Sequence, residues 1–560
     1  MLEMQRRMSY GLPGMPVTKP GLLLPTLQAA EKDFYENAAK MKATPKWTGE
    51  LYLEFHRGTY TSIAKVKRSN RMSEFMLQKA EVLSMTDLLF DGTYDHAGLC
   101  DTWRKVLHNQ FHDIIPGTSI GEVYEGTDVD YKEINEFGDT LIDSKLRSLS
   151  AQIGTEGGLF VYNPLGFARG GKITVNNQTV ELTEKVPAYG WKVINETDSI
   201  PASAHSSNYK IKISLSDLYA ENDYYIMKLD STGRITSLFD KEADREIVKP
   251  GEKMNEFQAF DDHPYCYEAW EISPYYKNNM YLLDEEAQIT LLADGSRSGF
   301  EIRKSYMDSS IVQRIWLNSD SKRIDFDNEI DWHQKQQLLK IAFPLDIHTD
   351  KATYEVQYGH VERPTHTNTS WDAAKYEVCA HKWADLSEKG YGISLLNDCK
   401  YGHSTEGSTL KLTVLKCASY PYEKADEGMH YFSYALLPHT GDLYDAGVIE
   451  EAYSFNQPLQ AIPVSKQAGQ LPDTFSLVSC DRKNIIIDAV KKAEDGDDMI
   501  VRLYEAWNSR STVTLTVPPF FKKAVLCNLM EKEIRELDLA DGKVSLPVKN
   551  FEIVTIRFVR

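Results

Sequence analysis

The sequence predicts an α+β multidomain protein, a three-helix bundle followed by large antiparallel β-sandwich domains. Two patterns carry that prediction. Up to about residue 150, apolar residues recur at three- and four-residue spacings, the period of amphipathic helices. After Gly157 the chain becomes a succession of short alternating runs separated by turn residues, without the βαβ alternation of a parallel sheet.

The elements follow in order. Residues 1–47 read as a leader, because Gly11, Pro13, Gly14, Pro16, Pro20 and Gly21 break any periodicity; a short helix is expected around 28–41. Residues 48–60 (TGELYLEFHRGTY) alternate and are aromatic, so an extended segment is expected. Met72, Met76, Ala80 and Leu83 mark one face of a first helix. Leu99, Trp103, Val106 or Leu107, and Gln110 mark a second. Ser119 and Glu122 have capping-box spacing and open a third, with Ile120, Val123, Tyr131, Ile134, Phe137 and Leu141 inward. Strand-like runs then begin at GLFVYN and end at FEIVTIRFV, and Pro, Gln and Gly at 457–472 suggest a connection. The expected domains are a leader at 1–47, a helical domain at 48–150, a β-sandwich domain at 151–456 and a C-terminal β domain at 473–560.

Composition narrows the function classes. The 560 residues are 42% hydrophobic and 26% charged, with a net charge of −19. Nucleic acids and anionic membranes need concentrated basic charge, so neither is an expected partner; a neutral sugar fits better. The seven cysteines are an odd number, widely spaced and without a CxxC, so neither a disulfide framework nor a thiolate zinc site is expected. That usage suits a reducing cytoplasm. The first residues contain no signal-peptide core, and no apolar run is long enough to span a membrane.

The most informative segment is Asn109-Gln-Phe-His112-Asp113-Ile-Ile-Pro116-Gly117-Thr118-Ser119. A helix ends at a His-Asp pair, a Pro-Gly turn follows, and a new helix starts. Such a corner holds an imidazole that can ligate a metal and a carboxylate that can accept sugar hydroxyls. Taken alone, a His-Asp pair at a helix corner is more often structural. Asp262, Tyr265, Tyr267 and Trp270 form an aromatic-acidic cluster; aromatic faces stack on sugars, but the same cluster suits strand-loop packing equally well.

The His112 segment resembles the HDxxxGT block of family 38 glycoside hydrolases, the α-mannosidases. The resemblance extends to residues 49–62, Lys67-Arg68-Ser-Asn70-Arg71, residues 262–272, Val361 to Trp371, Leu396 to Gly402, and Asp497 to Glu505. These blocks run in order from about residue 45 to the end and most resemble the cytosolic and bacterial branch. The resemblance implies a retaining, metal-dependent hydrolase of terminal α-mannosyl linkages in glycans or oligosaccharides. It implies one Zn2+ (or Co2+) ion, with His112 as a metal ligand and Asp113 as a mannose contact. It places Tyr267 and Lys416 as further substrate contacts, Asp262 is expected as another from the aromatic-acidic cluster, and a homo-oligomer is a possible assembly.

It also implies that the remaining metal ligands, the nucleophile and the acid/base carboxylate lie on an N-terminal catalytic domain. His56 and Asp95 do not match those ligands, and residues 1–47 read as at most a remnant of that domain. The chain alone is therefore expected to be inactive, and its partner to be that domain or a separate polypeptide carrying it. The alternative is a non-catalytic carbohydrate-binding or scaffold fragment.

Overall fold

The computed structural model describes residues 33–40, 46–52, 54–175, 178–194, 199–201, 211–294, 296–319 and 321–560. It forms two units, Met1–Tyr52 and Leu53–Arg560. In the first, residues 33–39 are helical, within the expected span; the rest of that span lies largely outside the described residues. No described helix is long and apolar enough to cross a membrane.

The second unit opens differently from the expectation. Its start is a turn and a short 3-10 helix, Arg57–Tyr60, not an extended segment. The reason is Arg57, whose guanidinium is drawn inward to Glu271 at 2.7 Å and to the Ala374 carbonyl. Three helices follow as predicted: α1 (Ala64–Leu89), α2 (His96–Asn109) and α3 (Gly121–Ala151). Ala80 and Leu83 of α1, Val106 of α2, and Tyr131 and Ile134 of α3 are buried. Leu107 is outside, so Val106 carries the α2 stripe.

The helix starts show how far local rules reach. Asp95 caps α2 by accepting from the Gly98 amide at 2.9 Å. The capping box expected at Ser119 does not form. The N-cap of α3 is Ile120, which is exposed, and the Ser119 hydroxyl turns back to donate to the Asp113 carbonyl at 2.7 Å. Helix α1 is capped from afar: the amides of Ile63 and Ala64 donate to the two oxygens of Asp426 at 2.8 and 2.7 Å, 363 and 362 residues away.

The strands form antiparallel sheets. A nine-stranded sheet runs in the order Gln288–Asp294, Arg297–Tyr306, Ser309–Asn318, Ile324–Trp332, Gly428–Thr440, Tyr391–Asn397, Trp383–Glu388, Lys351–Val356, Gly359–Pro364. A six-stranded sheet centred on Gln337–Pro344 and Thr409–Lys416 lies against it; Phe326 and Tyr434 of the first meet Phe343 of the second at 6.4 and 5.7 Å between rings. All eight residues of Gln337–Pro344 are buried, including Lys340, which donates to Glu377 with both side chains fully enclosed. Burial pulls the Lys340 ammonium down and pushes the Glu377 carboxyl up.

The C-terminal sandwich pairs a five-stranded sheet, which includes Ile485–Lys492, Met499–Glu505 and Ile553–Val559, with a four-stranded one. Its inner residues Val501, Leu503, Ile556 and Phe558 belong to the same apolar cluster as Leu77, Leu83, Val106 and Ile134 of the helices. The bundle therefore shares its core with the last part of the chain. The stretch read as a connection at 457–472 contributes a strand, Gln460–Val464, that pairs with Gly158–Asn163.

His403, in strand Gly402–Glu406, is fully buried, with Nδ1 against the Tyr401 carbonyl at 3.1 Å. Burial pulls its imidazole down to about 4. The unfolded chain takes up this proton near pH 6.5, whereas the folded one resists until about pH 4. Stability is thus present above pH 6.5 and lost as pH falls through that window, by about 3 kcal/mol in all. Urea denaturation from about pH 7.5 to pH 4 should show a shallower acid loss in His403→Gln than in the parent chain. Equal slopes would remove His403 from the account.

Candidate functional site

Three loops meet where α1 begins. The first is the corner between α2 and α3, at 110–119. The second, residues 262–272, leaves the strand Glu256–Asp261 of the six-stranded sheet. The third, residues 417–427, links Thr409–Lys416 to Gly428–Thr440. Ser62 joins the first two. Its hydroxyl donates to the Ala269 carbonyl at 2.5 Å, and its backbone lies so close to Gly117 that a Cβ there would sit 2.2 Å from the Ser62 carbonyl oxygen. The buried Lys67 ammonium clasps the same junction, donating to the carbonyls of Ser62 and Ile115. Burial lowers that ammonium to about 7.

The 262–272 loop is held on several sides. The Gly58 amide donates to the Trp270 carbonyl at 2.7 Å, and Arg57 pairs with Glu271. His56 lies against Trp270, with ring centroids 4.7 Å apart. The third loop closes the triangle. The Ser419 amide donates to Glu268 at 2.9 Å, and Tyr422 stacks on Tyr124 of α3 at 5.9 Å.

The predicted residues divide into two groups. His112 and Asp113 are solvent-facing, with Nε2 and Oδ2 3.5 Å apart and side chains 72% and 45% exposed. Asp113 is steadied by the Thr118 hydroxyl, which donates to its Oδ1 at 2.8 Å. Tyr267 is also exposed, at a positive φ of 59°, with its ring 6.1 Å from that of Trp270. Asp262 and Lys416, expected as substrate contacts, are instead each 1% exposed and paired with one another. A carboxylate and an ammonium facing each other inside the protein offer nothing to a sugar; they anchor the base of the Tyr267 loop. Asp262 Oδ1 also accepts from the Ser273 amide at 3.1 Å.

The surroundings of His112 bear on the metal expected there. A catalytic zinc takes three protein ligands. Among the described residues, the cluster of three or more His, Cys, Asp or Glu ligand atoms lies elsewhere, at His96, Cys100 and Glu494. The corner offers an imidazole and a carboxylate but does not form a metal centre by itself.

Sequence reasoning included Ser62 and Lys67 in motif blocks without giving them a role, and it missed Asp426; the three assemble the corner. Each acts through a backbone group or a partner remote in sequence, so no local pattern marks them. It named Tyr265 and Tyr267 but missed Phe111 and Tyr420, which are exposed on the neighbouring loops.

The helical bundle followed by antiparallel sandwiches, with a His-Asp corner beside an aromatic loop, keeps the element order that the sequence predicts. Comparison with known proteins agrees. Residues 54–149 match the alpha mannosidase middle domain, 220–424 the glycosyl hydrolases family 38 C-terminal domain, and 484–556 the family 38 C-terminal beta sandwich domain. The chain belongs to glycoside hydrolase family 38, of which it carries middle and C-terminal domains. It is 34% identical to alpha-mannosidase 2C1 of Homo sapiens over 582 residues, covering 100% of this chain and 54% of that protein. It is 29% identical to an alpha-mannosidase of Saccharomyces cerevisiae, covering 96% of this chain and 51% of that one. The chain thus spans about half the length of the curated relatives it matches. The fold is similar to the crystal structure of an alpha-mannosidase from Enterococcus faecalis V583, with a TM-score of 0.78 and 16% identity over 94% of this chain and 72% of that one.

Proposed function

We propose that this chain forms one wall of the active site of a retaining, metal-dependent α-mannosidase acting on terminal α-mannosyl linkages. His112 supplies one ligand to a divalent ion, zinc or cobalt, whose other ligands lie outside this chain. Asp113 accepts hydroxyl hydrogen bonds from the bound sugar, and Tyr267 packs its ring on the sugar's apolar edge. The Lys416–Asp262 pair and the Arg57–Glu271 pair hold the Tyr267 loop in place. Retaining hydrolysis needs two carboxylates about 5–5.5 Å apart, and in this reading both come from an N-terminal catalytic domain.

The observation that carries the reading is the convergence at Ser62 of two loops, each carrying exposed polar or aromatic side chains. The length of the relatives supports a second wall. Exposed Phe111, Tyr265 and Tyr420 give that wall apolar surface to cover. The odd number and wide spacing of the seven cysteines support a reducing, cytoplasmic setting.

Assay of an aryl α-mannoside tests this directly. The chain alone is expected to give no turnover. Co-expressed with a family 38 N-terminal domain, it should give metal-dependent turnover. His112→Ala should then lower that turnover by at least about 100-fold, since even outer-shell partners of metal ligands are worth 10–100-fold. Turnover by the chain alone, or full activity in the variant, overturns the reading.

A further inference from the structure

A cluster of His, Cys and Glu side chains lies at the opposite end of α2 from His112. His96 is the first residue of α2 and Cys100 stands one turn later, so the two side chains share a helix face. Glu494 comes from the turn between the strands Ile485–Lys492 and Met499–Glu505 of the C-terminal sandwich. The three ligand atoms all lie within 4.8 Å of one another. Cys100 Sγ is 3.5 Å from His96 Nε2, and His96 Nε2 is 3.9 Å from Glu494 Oε2.

Those separations match tetrahedral zinc. Bonds of about 2.3 Å to sulfur and 2.0–2.1 Å to nitrogen or oxygen give edges of about 3.6 Å for S···N and about 3.4 Å for N···O. The first edge is already met. The second closes by about 0.5 Å, and the Glu494 side chain, 58% exposed, is free to turn that far.

The surroundings orient the carboxylate. Lys491 holds Glu494 Oε1 at 2.5 Å and Glu531 at 2.8 Å, and the Glu494 amide donates to the other oxygen of Glu531 at 2.8 Å. Oε2 is thereby left toward His96. The nearby cations Lys491 and Lys492 stand beside the carboxylates of Glu494 and Glu531.

We infer that His96, Cys100 and Glu494 form a site for one zinc-class divalent ion, pinning α2 to the C-terminal sandwich. Binding displaces the Cys100 thiol proton to solvent, leaving a thiolate, a neutral imidazole and a carboxylate around the ion, with water in the fourth position. The fourteen-residue helix α2, roughly 20 Å long, carries these residues in its first turns and the His112 corner beyond its other end.

Cobalt(II) reports the site without any enzyme assay. The full chain, reduced and stripped with chelator, should take up one equivalent of Co2+ with a thiolate-to-cobalt charge-transfer band, and Zn2+ should erase it. Cys100→Ser should abolish the band, Glu494→Gln should weaken cobalt binding by about 10-fold or more, and His112→Ala should leave the band unchanged. The zinc-induced rise in the thermal unfolding midpoint should vanish in Cys100→Ser and shrink in Glu494→Gln. Both variants should match the parent midpoint when metal-free, which separates loss of the ion from loss of the fold. Absence of the band, its survival in Cys100→Ser, or its loss in His112→Ala overturns the site.

Discussion

Lys416→Met is expected to destabilise the chain by about 3–5 kcal/mol, because it leaves Asp262 as an uncompensated carboxylate inside the protein. Both side chains are 1% exposed, so water cannot replace the lost ammonium. The damage should be local as well as global. Asp262 starts the loop that carries Tyr267, and the Lys416 methylenes pack against Gly58, where the next strut of that loop begins. Urea denaturation should show the loss, and limited proteolysis should cut first within 262–272. The double variant Lys416→Met/Asp262→Leu should recover most of the stability, since an apolar pair of similar volume removes the stranded charge. A single-variant loss below about 1 kcal/mol, the range of exposed ion pairs, would refute the assignment of a buried anchor.

Gly117→Ala should cost about 2–4 kcal/mol, with a clear physical division. Its φ of +83° is left-handed, which a Cβ penalises by about 1–2 kcal/mol. The remainder comes from the Ser62 carbonyl, 2.2 Å from that Cβ, which must move because it is backbone and has no rotamer to escape into. Moving it separates the corner of His112 and Asp113 from the loop of Tyr267. In the complemented mannosidase assay, turnover should therefore fall further than the folded fraction does. Gly126→Ala is the control. Gly126 lies in α3 with nothing within 4 Å of its missing Cβ, so alanine there should stabilise by roughly 0.5–1 kcal/mol. If both glycines respond alike, the close approach at Ser62 is not what Gly117 serves.

Much of the architecture was legible because it is locally encoded. The three helices were readable from period and the sandwiches from alternation; strand Tyr225–Leu229 shows buried and accessible residues in strict turn. The ordered motif blocks placed the chain in its family. Of the candidate site, His112, Asp113 and Tyr267 lie at the junction of the three loops and face solvent. Asp262 was read as a sugar contact because an acid beside aromatics has the composition of a binding site, and Lys416 because the family resemblance places it there. Composition does not say which way a side chain points, and these two point at each other.

The same limit explains the other departures. Ser119 and Glu122 have the spacing of a capping box, but the Ser119 hydroxyl finds the Asp113 carbonyl first. Residues 48–60 alternate as a strand does, yet Arg57 is worth more paired with Glu271 than the segment is as an isolated strand without a neighbour. By itself, the sequence determined the family, the order of helices and strands, and the identity of the exposed corner, all of which rest on residues close together along the chain. Tertiary structure alone decided that Asp426 caps a helix 362 residues away, that the bundle shares its core with the last sandwich, and that Glu494 meets His96 and Cys100. Those contacts arise only when the chain has closed on itself, and no local period records them.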